Sequence, residues 1–292
     1  MSAARVFSGD TDAAPSAEQP WNDAHERVRE LVRELARELG PHPERFFSYA
    51  RSYDSGNAEE DRYLRLKEEH SLNVLFAAGR IAAEEPVFTP PALRRALLLA
   101  ALYHDLARFP QYARFKTFSD PRSFNHGHMA SREIGRLNLL ADESVAVARM
   151  ARAAVALHNR FSLPAGIPAD LRRVTQALRD ADKLDILRIM HDALRPGIPV
   201  DATILLHVAD SSDFTPKILE AVRTRRMASY TDLKTNTDFR LLLCGWFYDL
   251  TYPASRRMAV ASGVYTELTA LLPDHPALNS FAKNFHADLE RA

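Results

Sequence analysis

Apolar residues recur every three or four positions along most of the chain, the period of a helix that buries one face. Val28, Leu31, Val32, Leu35 and Leu39 form the first such stripe, which Gly40-Pro41 end. A second pattern runs from about Asp61 to Glu85 through Tyr63, Leu66, His70, Val74, Ala77 and Ile81, before Pro86 and the Pro90-Pro91 pair break the chain. Pro91 fits the first position of the next helix, whose stripe is Leu93, Leu97, Ala100, His104 and Ala107 and which Pro110 is expected to stop. After a loop containing Ser119, Asp120, Pro121 and Arg122, helices are expected over roughly 126–139 and from Glu143 to His158, the latter with Val147, Ala151, Ala154 and His158 in phase. Leu171 to Met190 is periodic through Val174, Leu178, Ala181 or Asp182, and Asp185. The almost wholly apolar Leu241 to Leu250 reads as a buried helix, and helices near 255–272 and 276–290 complete the pattern. No alternating run is long enough for a sheet, so the expected fold is all-α.

Composition narrows the function classes. A chain of 292 residues with 46% hydrophobic and 26% charged positions can build a sizeable core. Lys+Arg and Asp+Glu are equal at 38 each, which gives no global field to recruit nucleic acid or an anionic membrane. Cys244 is the single cysteine, so a disulfide framework and a cysteine-based zinc site are both excluded. Residues 1–20 are small and polar, are expected to lack fixed structure, and contain no apolar signal core. The apolar run Ala96 to Tyr103 is too short to span a bilayer, and a cytoplasmic location is expected.

The informative feature is the set of histidines on apolar helix faces. One such histidine is ordinarily a core residue with a satisfied hydrogen bond. Here the pattern repeats on successive helices as His70, His104 and His158, with Asp182 as its acidic counterpart. Burying several imidazoles and carboxylates together is costly unless a positive charge neutralises them, and a divalent cation would do so. Imidazole with carboxylate suits Mn, Fe, Co, Ni or Zn better than Ca. His104 and Asp105 are adjacent and project about 100° apart on a helix, so both reach one ion only beside the seam between their directions. A carboxylate such as Asp105 has two oxygens and can bridge two ions.

His70, His104-Asp105 and Asp182 together resemble the H…HD…D signature of the HD superfamily of metal-dependent phosphohydrolases. The ordered segments His104 to Phe109, Thr117 to Asp120, Ser123 to Gly127 and His158-Asn159 are similar to one branch of it, over roughly residues 60–250. The resemblance implies one HD-type helical domain over 21–292, with a metal-binding core at about 60–195 and a helical extension at about 196–292. It implies that His70, His104, Asp105 and Asp182 hold a first ion, and that His126 and His158 hold a second with Asp105 as the bridge. Asn125 stands where an aspartate is expected before the third histidine, which removes a possible supporting carboxylate from the second ion. The implied chemistry is hydrolysis of a small, nucleotide-like phosphate ester through metal-activated water.

Competing assignments remain. His191-Asp192 is a second HD dipeptide, but its downstream acid would have to be Asp249, within an apolar helix. His128 competes with His126, and Asp185 lies one turn beyond Asp182 as a candidate partner to a ligand. His25, His42, His207, His275 and His286 have no such company and read as surface or core residues. Arg108, one turn after His104, and Lys183, directly after the last acid, are the preferred phosphate-binding cations, ahead of Arg114, Lys116 and Arg160. No Gly-rich phosphate loop is present. A di-iron oxygenase and a non-catalytic helical ligand-binding module are the rival functions, and a homodimer is compatible with the apolar C-terminal helices.

Overall fold

The computed structural model describes residues 33–194 and 208–292. The expectations for residues 1–20 and for the first half of the opening helix lie outside the described residues; residues 33–39 are helical and end at Gly40, whose φ of +62° favours glycine. Among the described residues twelve α-helices follow: α1 His42–Arg51, α2 Ala58–Glu84, α3 Pro91–Tyr103, α4 Arg108–Phe115, α5 His126–Arg136, α6 Val145–Leu157, α7 Ala169–Ala193, α8 Pro216–Arg223, α9 Asn236–Trp246, α10 Pro253–Ala261, α11 Val264–Ala270 and α12 Pro276–Leu289. The described residues contain no strand, only an isolated bridge between Ala209 and Thr235. The fold is all-α.

Helix starts follow local chemistry. Asn57 caps α2 by accepting from the Glu59 amide at 2.9 Å, Ser144 caps α6 through the Val147 amide at 3.3 Å, and Pro91 opens α3. Pro110 does not stop the third helix as its position suggests. The α-helix ends at Tyr103 and a new one begins at Arg108, leaving Pro110 in its first turn, where the missing N–H has no intrahelical partner to lose. The single helix expected near 255–272 is two, α10 and α11, divided at Gly263, whose φ is +73°. The Leu241 to Leu250 segment is buried, but its α-helix runs over Asn236–Trp246 and tightens to a 3₁₀ turn at Phe247–Asp249.

Helices α2 and α6 each pack on α3 and α7, α3 also packs on α7, and α5 is laid on α6. Helix α3 is buried from Ala96 to Tyr103, and its alanines at 96, 100 and 101 let three neighbours approach closely. Each large side chain so buried contributes about 1.5–3 kcal/mol of transfer free energy. A second apolar cluster gathers Leu219, Val222, Leu241 to Trp246, Tyr265, Leu268, Phe281 and Phe285 from α8 to α12. Helix α7 belongs to both clusters: Val174, Ala177, Leu178 and Ala181 lie in the first, Leu187 in the second. Its middle turn carries Asp182.

Candidate metal centre

Two of the histidines occupy equivalent places. His104 is the residue at which α3 ends, and His158 the one at which α6 ends. The last carbonyls of a helix lack intrahelical donors. Here ring Nδ1 of His104 lies 2.8 Å from the Ala101 carbonyl oxygen, and that of His158 lies 2.7 Å from the Val155 carbonyl oxygen. Each Nδ1–H therefore donates to its own helix terminus, and each Nε2 is left with a bare lone pair aimed inward.

The other two rings are oriented by carboxylates. His70, in the middle of α2, donates from Nδ1 to Asp185 Oδ2 at 2.7 Å. His126, the first residue of α5, donates from Nδ1 to Asp120 Oδ2 at 2.7 Å. The four Nε2 atoms then converge. His70 and His104 Nε2 are 3.2 Å apart, and His126 and His158 Nε2 are 3.1 Å apart.

Asp105 lies between the two pairs. Its Oδ2 is 3.5 Å from His70 Nε2 and 3.7 Å from His104 Nε2, while its Oδ1 is 3.4 Å from His126 Nε2. Asp182 Oδ1 closes the first group at 3.2 Å from His70 and 3.7 Å from His104. The structure thus brings together all six residues His70, His104, Asp105, His126, His158 and Asp182. All but Asp182 are buried, and Asp182 opens onto a cavity.

Electrostatics separate the two halves. Burial pushes both His126 and His158 down to about 4, with Arg108 adding to the effect on His126 and His104 to that on His158, so both rings are neutral. Burial and Lys67 also oppose a charge on His70, but the Asp182 and Asp185 carboxylates outweigh them and raise it to about 9. Burial works against ionising Asp105 as well, yet Lys67, His104 and Arg108 hold its carboxyl well below the usual range.

These features fit a metal. Two neutral imidazoles with bare nitrogens facing at 3.1 Å have no proton to share and repel, unless a cation sits between them. In the first group the Asp105 and Asp182 oxygens stand beside the His70 and His104 nitrogens, a buried donor set that a cation would neutralise. Spacings of 3.1–3.7 Å are those of neighbouring donors on one ion roughly 2.1 Å from each. These buried His and Asp groups can hold a metal ion.

The remaining sequence candidates fall around this centre. Arg108 and Lys183 both line the cavity. Arg108 donates from Nε to Asp105 Oδ1 at 3.3 Å and from Nη1 to the Phe118 carbonyl at 2.6 Å and Asp120 at 3.1 Å. Lys183 Nζ lies 2.8 Å from Asp249. Arg160 lines the cavity too, whereas Lys116 pairs with Glu60 and Arg114 lies over Phe115. His128 is exposed, and only its backbone amide is engaged, by Asn125. His191 stands apart from the cluster, its Nε2 2.8 Å from Glu267, and Asp249 is taken by Lys183. His42 is a core residue and His275 caps α12.

Sequence reasoning missed the roles of Asp120, Asn125 and Lys67. Asp120 supports His126, and Asn125, whose identity suggested a lost carboxylate, instead caps α5 through the His128 amide at 2.8 Å. Lys67 Nζ reaches Asp105 Oδ2 at 2.9 Å. Its place three residues before His70 on α2 is the signal that could have found it.

Fold and site together define an all-helical protein with a buried histidine–aspartate centre able to take metal. The family model of the HD domain matches residues 68–213, half of the chain, and the protein belongs to that family. The matched span contains all six residues of the centre and Lys183. Family membership points to metal-dependent, hydrolase-type chemistry in general. Neither curated proteins nor solved structures yielded a match. No helix among the described residues is long and apolar enough to cross a membrane.

Proposed function

We propose that this protein is a metal-dependent phosphohydrolase that cleaves a small, nucleotide-like phosphate ester. The observation that carries the reading is Asp105, which offers one carboxylate oxygen to the His70–His104 pair and the other to His126, beside His158. That arrangement suits two transition-metal ions, with His70, His104, Asp105 and Asp182 around one and Asp105, His126 and His158 around the other. When bound, such ions lower the pKa of a coordinated water and neutralise phosphoryl oxygens.

The chain's own groups supply the rest. Lys67 and Arg108 hold Asp105 between the two groups of histidines. Lys183, with Arg160, presents positive charge to a phosphate in the cavity, where the transition state gains negative charge on its equatorial oxygens. In the overall reaction water adds to phosphorus, the bond from phosphorus to the organic oxygen breaks, and that oxygen leaves with a proton as an alcohol.

The test is elemental analysis of the purified protein, wild type beside Asp105→Ala, followed by assay against phosphate esters. One or two transition-metal ions per chain, lost in the variant, together with phosphate release, support the reading. No metal in either protein after reconstitution with Mn or Co overturns it and leaves a helical ligand-binding module. The same donor set would serve a di-iron oxygenase, which two irons per chain with oxygen uptake would establish instead.

A further inference from the structure

The cavity over the metal centre, about 340 Å³, has a mixed lining. Its polar part is the metal-binding residues with Lys67, Arg108, Arg160, Arg179 and Lys183. Its apolar wall is formed by Phe161, Ile186, Met227, Tyr230 and Trp246. Three large hydrophobic residues are strongly exposed among the described residues, and two of them, Phe161 at 69% and Tyr230 at 48%, belong to this wall. Exposed aromatic surface is unfavourable in water, and here two such rings line one cavity.

Phe161 and Ile186 of this wall lie inside the family match, and the rest of it comes from outside. Met227, Tyr230 and Trp246 all lie beyond residue 213. Tyr230 opens the 3₁₀ turn Tyr230–Asp232, in which Ser229 caps the Thr231 amide at 3.3 Å; its ring packs edge-on against Trp246 with centroids 6.3 Å apart, and its hydroxyl end is buried toward Asp182. Trp246 is the last residue of α9, and Ile186 lies on α7 one turn from Asp182. A ligand whose phosphate lies among the cations therefore meets aromatic faces with its other end. A volume near the lower end of the roughly 300–1,000 Å³ range of ligand pockets suits a small molecule and not a polymer.

We infer that Phe161, Tyr230 and Trp246 form a subsite for a planar aromatic group on the substrate, and that the segment beyond the family match, through Tyr230 and Trp246, shares in setting its selectivity. The inference rests on the phosphate-ester reading of the same cavity. It specifies the organic half of the molecule: an aromatic ring system joined to the phosphate by a short linker such as a single sugar, in preference to a sugar, glycerol or alkyl chain that carries no ring. Aromatic faces pack on aromatic rings with offset or edge-on geometry, and the gain is lost when the ring is replaced by a methyl group.

The test uses the full chain reconstituted with Mn and two non-hydrolysable probes, benzylphosphonate and methylphosphonate, with binding measured by calorimetry. The benzyl compound is expected to bind about tenfold more tightly, as expected for one ring packed on two aromatic side chains. The double variant Phe161→Ala, Tyr230→Ala is expected to lose that preference, while Tyr230→Phe keeps it. Elemental analysis showing the wild-type metal content in both variants excludes a general loss of the site. Equal binding of the two probes, survival of the preference in the double variant, or failure of both probes to bind overturns the inference.

Hydrolysis separates this inference from the reading on which it rests. 2-Phenylethyl phosphate and propyl phosphate have leaving groups of similar chemistry, so their kcat/KM ratio reports the subsite. A benzyl preference in binding with neither ester hydrolysed sinks the hydrolase reading and leaves the subsite standing. Hydrolysis of both esters at equal kcat/KM, with equal binding of the probes, sinks the subsite alone.

Discussion

Asp120 and His126 are joined across 2.7 Å from carboxylate oxygen to Nδ1, although Asp120 lies six residues earlier, at the start of a 3₁₀ turn. The same carboxylate accepts from Gln111 at 3.0 Å, Asn159 at 3.1 Å and Arg108 at 3.1 Å. It fixes the tautomer of His126 and raises the basicity of the nitrogen that faces His158. Asp120→Asn keeps the shape and removes the charge. It is expected to weaken the second ion about 10–100-fold and leave the first in place. Metal titration followed by elemental analysis should show the stoichiometry falling from two to one. Unchanged affinity at both positions would remove Asp120 from this role.

Asp185 plays the same part for His70, at 2.7 Å from Nδ1, and is itself held by Arg188 at 2.8 Å. Asp185→Asn is expected to weaken the first ion about 10–100-fold. Its effect on the second ion should be smaller, the reverse of Asp120→Asn. The pair of variants tests whether the two groups of donors are separate positions; equal loss at both from either variant would mean that they are one.

Much of this site was legible in the sequence, and the reason is periodicity. His70, His104 and His158 fall in phase with apolar stripes, and a polar residue at a core position of a helix marks itself. Asp120 carries no such signal, because a carboxylate in an irregular loop looks like any solvated turn residue until the loop is folded onto α5. Helices α1, α4 and α8 were missed for a related reason. They are short, at 10, 8 and 8 residues, so each offers too few turns for a stripe to stand out. Proline misled as well, since Pro110 at the start of one helix and a proline at the end of another look alike in a linear string.

Gly127 follows His126 and lies against the end of α6. A Cβ there would come within 2.9 Å of the Val155 carbonyl oxygen and 2.9 Å of Asn159 Oδ1. The Val155 oxygen is the acceptor that orients His158, so it cannot move away freely. Gly127→Ala is expected to cost about 1–3 kcal/mol in unfolding free energy and to reduce metal at the second position. Urea unfolding checks the first and elemental analysis the second. A variant as stable and as fully loaded as the wild type would show that α5 can shift without consequence.

Acid should weaken the fold at a place remote from the metal. His42 is buried 3.2 Å from the Tyr103 hydroxyl and donates from Nε2 to Glu143 at 2.9 Å. Burial lowers its pKa, although Glu143 opposes the shift. In the unfolded chain His42 takes up a proton near pH 6.5, so below that pH the unfolded state binds more protons than the folded one and stability falls as pH falls. Glu143, held low by Arg95 against burial, adds a second decline in the same direction as pH passes below its unfolded value of about 4.5. In metal-free protein, the urea midpoint of His42→Gln should therefore fall less than that of the wild type between pH 7 and pH 5. Parallel curves for the two proteins would sink this account.

Helix α7 spans 25 residues, about 37 Å, with one end in each apolar cluster and Asp182 near its centre. A rod gripped at both ends and pinned in the middle cannot twist or slide at one point without loading the others. An ion at Asp182 would thus act as a rivet for the whole molecule, slowing amide exchange in α9 on the far cluster as well as in α2 beside it.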